Sequence, residues 1–267
     1  MDSFVVFGAN GHLGRHLAPA IKEKFDCEVY TVDVTNSVLG KDFHHFVGSI
    51  LDLNFLRQVA TELRLGNVHL RGIVNCAAGK EFITPQVYET EIFDKEFESL
   101  SRDEKVLEAF CQFPQEFFLE ALNVNLIGVH NTLVSLMPLI LNSTECSIVN
   151  LGSQYGIKTP DQSLFHRADK FVYKPPAYST SKASLVAYTE YVASIIAMTN
   201  ARINLFTPGS LYRGQTSRFQ ADYVKRTFRS QMLSVHEAVK PILFLLSPDS
   251  KYMNGLNLIF DGGWTRR

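Results

Sequence analysis

The chain has 267 residues, 46% of them hydrophobic, and its 26 Lys and Arg nearly balance 27 Asp and Glu for a net charge of -1. That length suits one α/β domain, residues 1–267, with a large core and no second unit. The near-neutral balance excludes a generic nucleic-acid binder, which needs a basic face to displace counterions.

Met1-Asp2-Ser3 carries no basic region or cleavage-like site, so no secretory signal is expected. Phe4-Val5-Val6-Phe7 then reads as a short buried strand stopped by glycine. Further β-rich runs follow at Val29–Val32, Phe43–Val47, Gly72–Val74, Ser147–Val149, Ile203–Leu205 and Leu256–Phe260. Segments of helical period separate them, including Phe55–Leu63 and Phe117–Leu141, the latter opened by Pro114. Short apolar strands alternating with helices predict a doubly wound, seven-stranded parallel sheet with helices on both faces, a single-domain Rossmann fold. The apolar stretch Val129–Leu141 is interrupted by His130, Asn131 and Pro138, so no membrane span is expected. Cys27, Cys76, Cys111 and Cys146 have no CxxC or metal-ligand spacing; they read as free thiols in a reducing compartment, with no metal site and a cytoplasmic location.

Two segments break the alternation. Residues 80–112 are long and largely acidic, and residues 157–176 form a long loop carrying His166, Arg167, Lys170 and Lys174. Loops of that length are uncommon unless they have a function. The second is expected to act as a lid over a polar, anionic substrate, helped by Arg213 and Arg218 in a cover over residues 210–230. Solvated loop charge is the competing reading.

Gly8-Ala9-Asn10-Gly11-His12-Leu13-Gly14 follows the first strand and opens the first helix. Its glycines allow a tight turn and close approach of the backbone to a pyrophosphate, and the helix N-terminus offers N–H groups to the phosphates. Asp33 closes the second strand where a carboxylate accepts hydrogen bonds from the adenosine ribose. No Lys or Arg follows it in Val34-Thr35-Asn36-Ser37, which favours NAD over NADP.

Tyr178 and Lys182 lie four apart, one helical turn on the same face. A phenol with a pKa of about 10 exchanges protons poorly near neutrality. A neighbouring lysine cation favours the phenolate and corrects this.

Taken in order, these motifs resemble the short-chain dehydrogenase/reductase family, classical branch, over nearly the whole chain. The matching pieces are Gly8, Gly11 and Gly14, Asp52-Leu53, Asn75-Cys76-Ala77-Ala78-Gly79, Asn125, Ser153, Tyr178/Lys182, Pro208-Gly209 and Asp261-Gly262-Gly263. The resemblance implies a catalytic tetrad of Asn125, Ser153, Tyr178 and Lys182. It implies cofactor contacts from Gly8, Asn10, Gly11, His12, Leu13, Gly14, Asp33, Asp52, Leu53, Asn75, Ala77, Gly79, Tyr178, Lys182, Pro208 and Gly209. The GxxGxxG spacing departs from the branch's usual GxxxGxG, and an altered phosphate turn is expected.

Lys158–Gln162, Lys174–Tyr178 and Asp261–Thr265 further resemble flagellin modification protein A-like oxidoreductases of bacterial surface-sugar pathways. That implies a sugar or amino-sugar derivative as the small-molecule substrate. The alternatives are a reductase of an apolar carbonyl, such as a 3-oxoacyl thioester, and a catalytically silent NAD sensor. Family habit also implies a homodimer or homotetramer through the long helices, with Phe118, Leu122, Tyr188 and Val192 as candidate outer residues.

Overall fold

The structure is a computed structural model that describes residues 2–79, 99–165 and 173–267. Seven parallel strands form one sheet in the order β3-β2-β1-β4-β5-β6-β7. They are β1 (Asp2–Phe7), β2 (Glu28–Asp33), β3 (His44–Val47), β4 (His69–Asn75), β5 (Cys146–Leu151), β6 (Ala201–Pro208) and β7 (Asn257–Phe260). The order reverses between β1 and β4, and such a reversal leaves a crevice beyond the carboxyl ends of the strands.

Alternation along β1 sends Val5 and Phe7 to one face and Phe4 and Val6 to the other, and all four are buried. On the first face lie α2 (Leu53–Leu65), α5 (Gly128–Asn142) and α6 (Pro176–Ile195), through residues such as Leu56, Leu133 and Leu185. On the second face lie α1 (Gly14–Phe25) and α8 (Val235–Leu246), through Leu17, Ile21, Ile242 and Leu245. Each such side chain contributes about 1.5–3 kcal/mol by leaving water. Helices α3 (Arg102–Cys111), α4 (Gln115–Leu122) and α7 (Ser217–Val224) complete the α-helices among the described residues. The expected acidic segment therefore holds a helix in its second half, while residues 80–98 lie outside the described residues.

Helix α8 ends over a buried cation. The Arg202 guanidinium donates to the Leu245 and Ser247 carbonyls at 2.7 and 2.6 Å and also to Ser147 Oγ. A positive charge among the unpaired carbonyls of a helix C-terminus is favourable on both hydrogen-bond and dipole grounds.

Among the described residues, one continuous helical run, Gln115–Asn142, is long and apolar enough to cross a bilayer by length and composition, with half of its apolar window buried. The expected helix over Phe117–Leu141 is thus right in extent, but it is not uniform. Residues Asn123–Ile127 form a π turn between α4 and α5. The expected outer face needs correction too. Val192 is buried and Tyr188 packs against the core, whereas Leu119, Ile127, Val134, Leu141, Tyr191 and Ile195 are exposed.

Candidate active site

A cleft of about 1420 Å³ opens at the carboxyl ends of the strands. Its floor starts at Gly8, whose φ of 78° is a left-handed conformation. A Cβ there would lie 2.5 Å from the Ala77 backbone nitrogen, and one at Gly14 would lie 2.2 Å from the Gly8 carbonyl oxygen. Both glycines are therefore required by backbone crowding. Helix α1 starts with Leu13 at its N-cap and no side-chain cap, so no side chain competes at its first turn, where Arg15 and His16 N–H reach the Gly11 and Leu13 carbonyls at 3.1 Å. This cradle, bare of side chains at an uncapped helix end, fits a dinucleotide pyrophosphate. Asn10, Gly11, His12 and Leu13 also line the cleft.

Asp33 reaches the same floor from the end of β2 and is held on both carboxylate oxygens. Oδ2 accepts from the Asn10 backbone N–H at 3.0 Å, and Oδ1 accepts from Thr35 N and Oγ1 at 3.3 and 3.2 Å. The Asn10 side chain returns the tie, donating to Thr35 Oγ1 at 2.8 Å. Asp33 thus fixes the glycine loop and still has lone pairs for a ribose.

Beside the loop, His12, His16 and His236 form an edge-to-face run with ring centroids 6.1 and 5.1 Å apart. Burial, then the Arg213 charge, holds the His12 pKa below its ordinary value; burial and His236 do the same for His16.

Three sequence expectations change here. Asp52 and Leu53 do not line the cleft. The Asp52 carboxylate caps α2, accepting from Asn54 N at 2.9 Å and Phe55 N at 3.1 Å. Ser49, Ile50 and Leu51, three residues nearer β3, line that wall instead. Asn75 is buried behind the cleft. It donates to Asn150 Oδ1 at 2.8 Å and accepts from Thr132 Oγ1 at 2.9 Å, so it fastens β4 to β5. The cleft is lined by Cys76, Ala77, Ala78 and Gly79 at that point. Burial pushes the Cys76 thiol up to about 12 against the pull of Lys182, which keeps it neutral.

The four tetrad positions converge. Ser153 follows β5, and Tyr178 and Lys182 occupy the first turns of α6; all three line the cleft and are 8%, 5% and 3% exposed. Lys182 Nζ donates to the Leu151 carbonyl at 2.7 Å, which fixes the ammonium at the end of β5. Asn125 sits in the π turn, fully buried and outside the cleft lining. Its Oδ1 accepts from Gly79 N at 3.0 Å and its Nδ2 donates to Ser181 Oγ at 2.9 Å. Ser181 in turn donates to the Tyr178 carbonyl at 2.9 Å. One amide therefore links the loop after β4 to the helix that carries Tyr178.

A family model described as enoyl-(acyl carrier protein) reductase matches residues 97–265. The chain belongs to the short-chain dehydrogenase/reductase family. Among curated relatives it is 26% identical over 156 residues to post-translational flagellin modification protein A of Campylobacter coli, a match covering 58% of this chain and 60% of that protein. It is 28% identical over 150 residues to human 3-oxoacyl-[acyl-carrier-protein] reductase, covering 55% and 57%. Each match spans less than two thirds of the relative's own length. Among solved structures, a short-chain dehydrogenase of Leptospira borgpetersenii with bound NAD+ superposes with a TM-score of 0.81 at 23% identity, covering 99% of this chain and 92% of the other.

In this short-chain dehydrogenase/reductase chain the segments after β5 and β6 wall the far end of the cleft. Pro208 and Gly209 line it, and a Cβ on Gly209 would meet the Tyr223 hydroxyl at 2.9 Å. Gln154 joins the two segments. Its Oε1 accepts from Tyr223 OH at 2.9 Å and its Nε2 donates to Ser210 Oγ at 3.2 Å. Asp161 joins them again through Arg226, at 2.9 and 2.6 Å. Burial alone would raise the Asp161 pKa, but hydrogen bonds from Ser163 and Arg226 and the Arg226 charge hold it at about 2.

Arg218 lines this end, 3.9 Å from Asp222, while Arg213 lines the cleft toward His12. His166, Arg167 and Lys170 lie outside the described residues. Lys174 is not a solvated loop cation: it is 1% exposed and lines the cleft. Sequence reading missed Gln154, Leu164, Phe165 and Phe219, which line the same wall. The Gln154 and Tyr223 pairing leaves no local signal, because it joins residues far apart in the chain.

Proposed function

We propose that the chain is an NAD-dependent oxidoreductase that moves a hydride between nicotinamide and an alcohol or carbonyl carbon of a polar, anionic, sugar-like small molecule. The observation that carries this reading is the convergence of Tyr178, Lys182 and Ser153, nearly buried, on the cleft whose other end is the bare cradle at Gly8–Gly14. The cofactor supplies the hydride chemistry; the protein supplies orientation and electrostatics. Tyr178 OH exchanges the proton with the substrate oxygen, and Ser153 Oγ hydrogen-bonds that oxygen. Lys182 biases the phenol toward phenolate. Asn125 acts at one remove, by fixing the helix that carries the other two.

Asp33 supports NAD rather than NADP, since a carboxylate in the adenosine-ribose position repels a 2′-phosphate. Lys174 and Arg218 at the substrate end support an anionic group on the substrate. The cover is residues 210–230, tied to the preceding loop by Asp161–Arg226. Exposed Leu119, Ile127, Val134 and Leu141 on one long helix, with Tyr191 and Ile195 on α6, support pairing of copies through these helices. Four free thiols support a reducing, cytoplasmic setting.

The apolar wall of Leu164, Phe165 and Phe219 favours a second reading, reduction of an acyl thioester carbonyl. A turnover screen of sugar alcohols, ketoses and 3-oxoacyl thioesters with both cofactors separates the two. On the true substrate Tyr178→Phe should lose turnover by three orders of magnitude or so while binding NAD normally. Near-full activity in that variant would overturn the reading.

A further inference from the structure

Lys174 is the most deeply buried cation in the cleft and the only described one that the tetrad does not use and that stands against the catalytic ring. Its ammonium lies 4.0 Å from the centroid of the Tyr178 ring and 5.3 Å from that of Tyr155. It is placed there deliberately by local structure. The Gln162 side chain clamps the Lys174 backbone from both sides, accepting from its N–H at 3.1 Å and donating to its carbonyl at 2.9 Å. Pro175 and Pro176 then fix the entry into α6, so the lysine stem and the tyrosine leave one rigid stretch of chain.

We propose that Lys174 is a positioning residue that holds a second positive charge over the face of Tyr178 and, together with Lys182, favours its phenolate. This rests on the reading of Tyr178 as the acid/base. A cation over an aromatic face is attracted by the ring quadrupole, and more strongly once the ring carries a full negative charge. Burial keeps water from screening the pair.

Apart from Lys182, the other charged and titratable groups described around the ring do not supply this effect. Lys182, on the same helix, is fixed on the Leu151 carbonyl. Cys76, from the loop after β4, stays neutral, as does Tyr223 of α7, which burial pushes up to about 12. Asp222 and Arg218, also of α7, pair with each other at 3.9 Å, and Asp222 with Lys225 at 2.9 Å. Arg213 lies toward His12, whose pKa its charge depresses.

Near-ultraviolet absorbance of tyrosinate reads the Tyr178 titration without any substrate. The full chain minus its Tyr178→Phe variant isolates one phenol, and burial helps by pushing Tyr173, Tyr188 and Tyr223 up to about 12. A step below the ordinary tyrosine value is expected in the unchanged protein. Lys174→Met should raise that step by about one pH unit, a tenfold loss of phenolate at a given pH. Lys174→Arg, which keeps the charge, should restore it to within about 0.3 pH unit.

A step that stays put in a folded Lys174→Met protein overturns the inference and leaves the Tyr178 assignment standing. Absence of any low step in the unchanged protein removes the Tyr178 reading itself, and this inference with it. Should Lys174→Met lose its cooperative melt, Lys174→Gln takes its place. Should both unfold, Lys174→Arg decides: an unmoved step supports the proposal, and a rise of a full pH unit with charge retained overturns it.

Discussion

Replacing Asn125 by alanine tests whether the tetrad depends on a single amide for its assembly. The variant loses an acceptor for Gly79 N and a donor to Ser181 Oγ, both at normal hydrogen-bond length. Each such bond contributes about 1 kcal/mol net. The site is fully buried, so the missing amide leaves a void whose cost is about 1 kcal/mol at roughly 24 cal/mol per Å³. Better helix propensity returns about 0.6 kcal/mol. The Gly79 N–H is partly exposed, so water recovers some of its loss. The sum is a destabilisation of about 2 kcal/mol, or about 4–8 °C in Tm for a chain of this size. Urea unfolding followed by circular dichroism measures it. Ser181→Ala and the double variant complete a cycle in which a coupling of about 1 kcal/mol is expected. A cost below about 0.5 kcal/mol, or zero coupling, would refute the view that Asn125 fastens the Tyr178 helix to the loop after β4.

Asp33→Asn keeps an acceptor for Asn10 N–H but removes the charge. NADP should bind about tenfold more tightly and NAD a few-fold more weakly, as fluorescence titration would show; an unchanged ratio of the two affinities would count against the carboxylate as discriminator. Gly14→Ala places a methyl 2.2 Å from the Gly8 carbonyl oxygen, so a loss of about 2–3 kcal/mol in stability and of measurable NAD binding is expected; a stable variant with normal binding would contradict the crowding. His12 has a folded pKa below 6.5, so between that lowered value and 6.5 the unfolded chain binds more protons. Stability should therefore be complete above pH 6.5 and decline as the pH falls below it; His12→Asn should flatten that decline in a melting series, and an identical slope would exclude His12 as its source.

The glycine loop and the Tyr178/Lys182 pair were legible in the sequence because each is a local pattern: fixed spacing on one turn or one helix determines which groups share a face. Asp33 was legible for the same reason, at the end of a strand beside the loop. Asp52 misled because an N-cap carboxylate and a ligand-facing carboxylate have the same local signature. Its capping bonds to Asn54 and Phe55 decide between them. Asn75 misled because its partners, Thr132 and Asn150, are distant in sequence. Lys174 lies in a segment that reads as a charged loop, and only the Gln162 clamp turns it inward. Val192 and Tyr188 turn inward although the sequence suits an outer face, because helical period gives a face but not its partner.

The π turn at Asn123–Ile127 also works as a phase shifter. An α-helix advances about 100° per residue, so a turn that takes in one extra residue offsets the phase of the sequence pattern before it by that angle from the phase after it. Within the 28-residue run Gln115–Asn142, the leading half faces α6 while the trailing half faces α2 and the sheet. A uniform helix would force both halves to share one stripe. Removing one residue between 123 and 127 would let that turn close as regular α-helix and leave the two halves facing as they do now, because the wider turn sweeps with one extra residue about the angle that an α turn sweeps. A one-residue deletion that spares Asn125 should therefore be tolerated better there than elsewhere in the run, where it would rotate one half against the other.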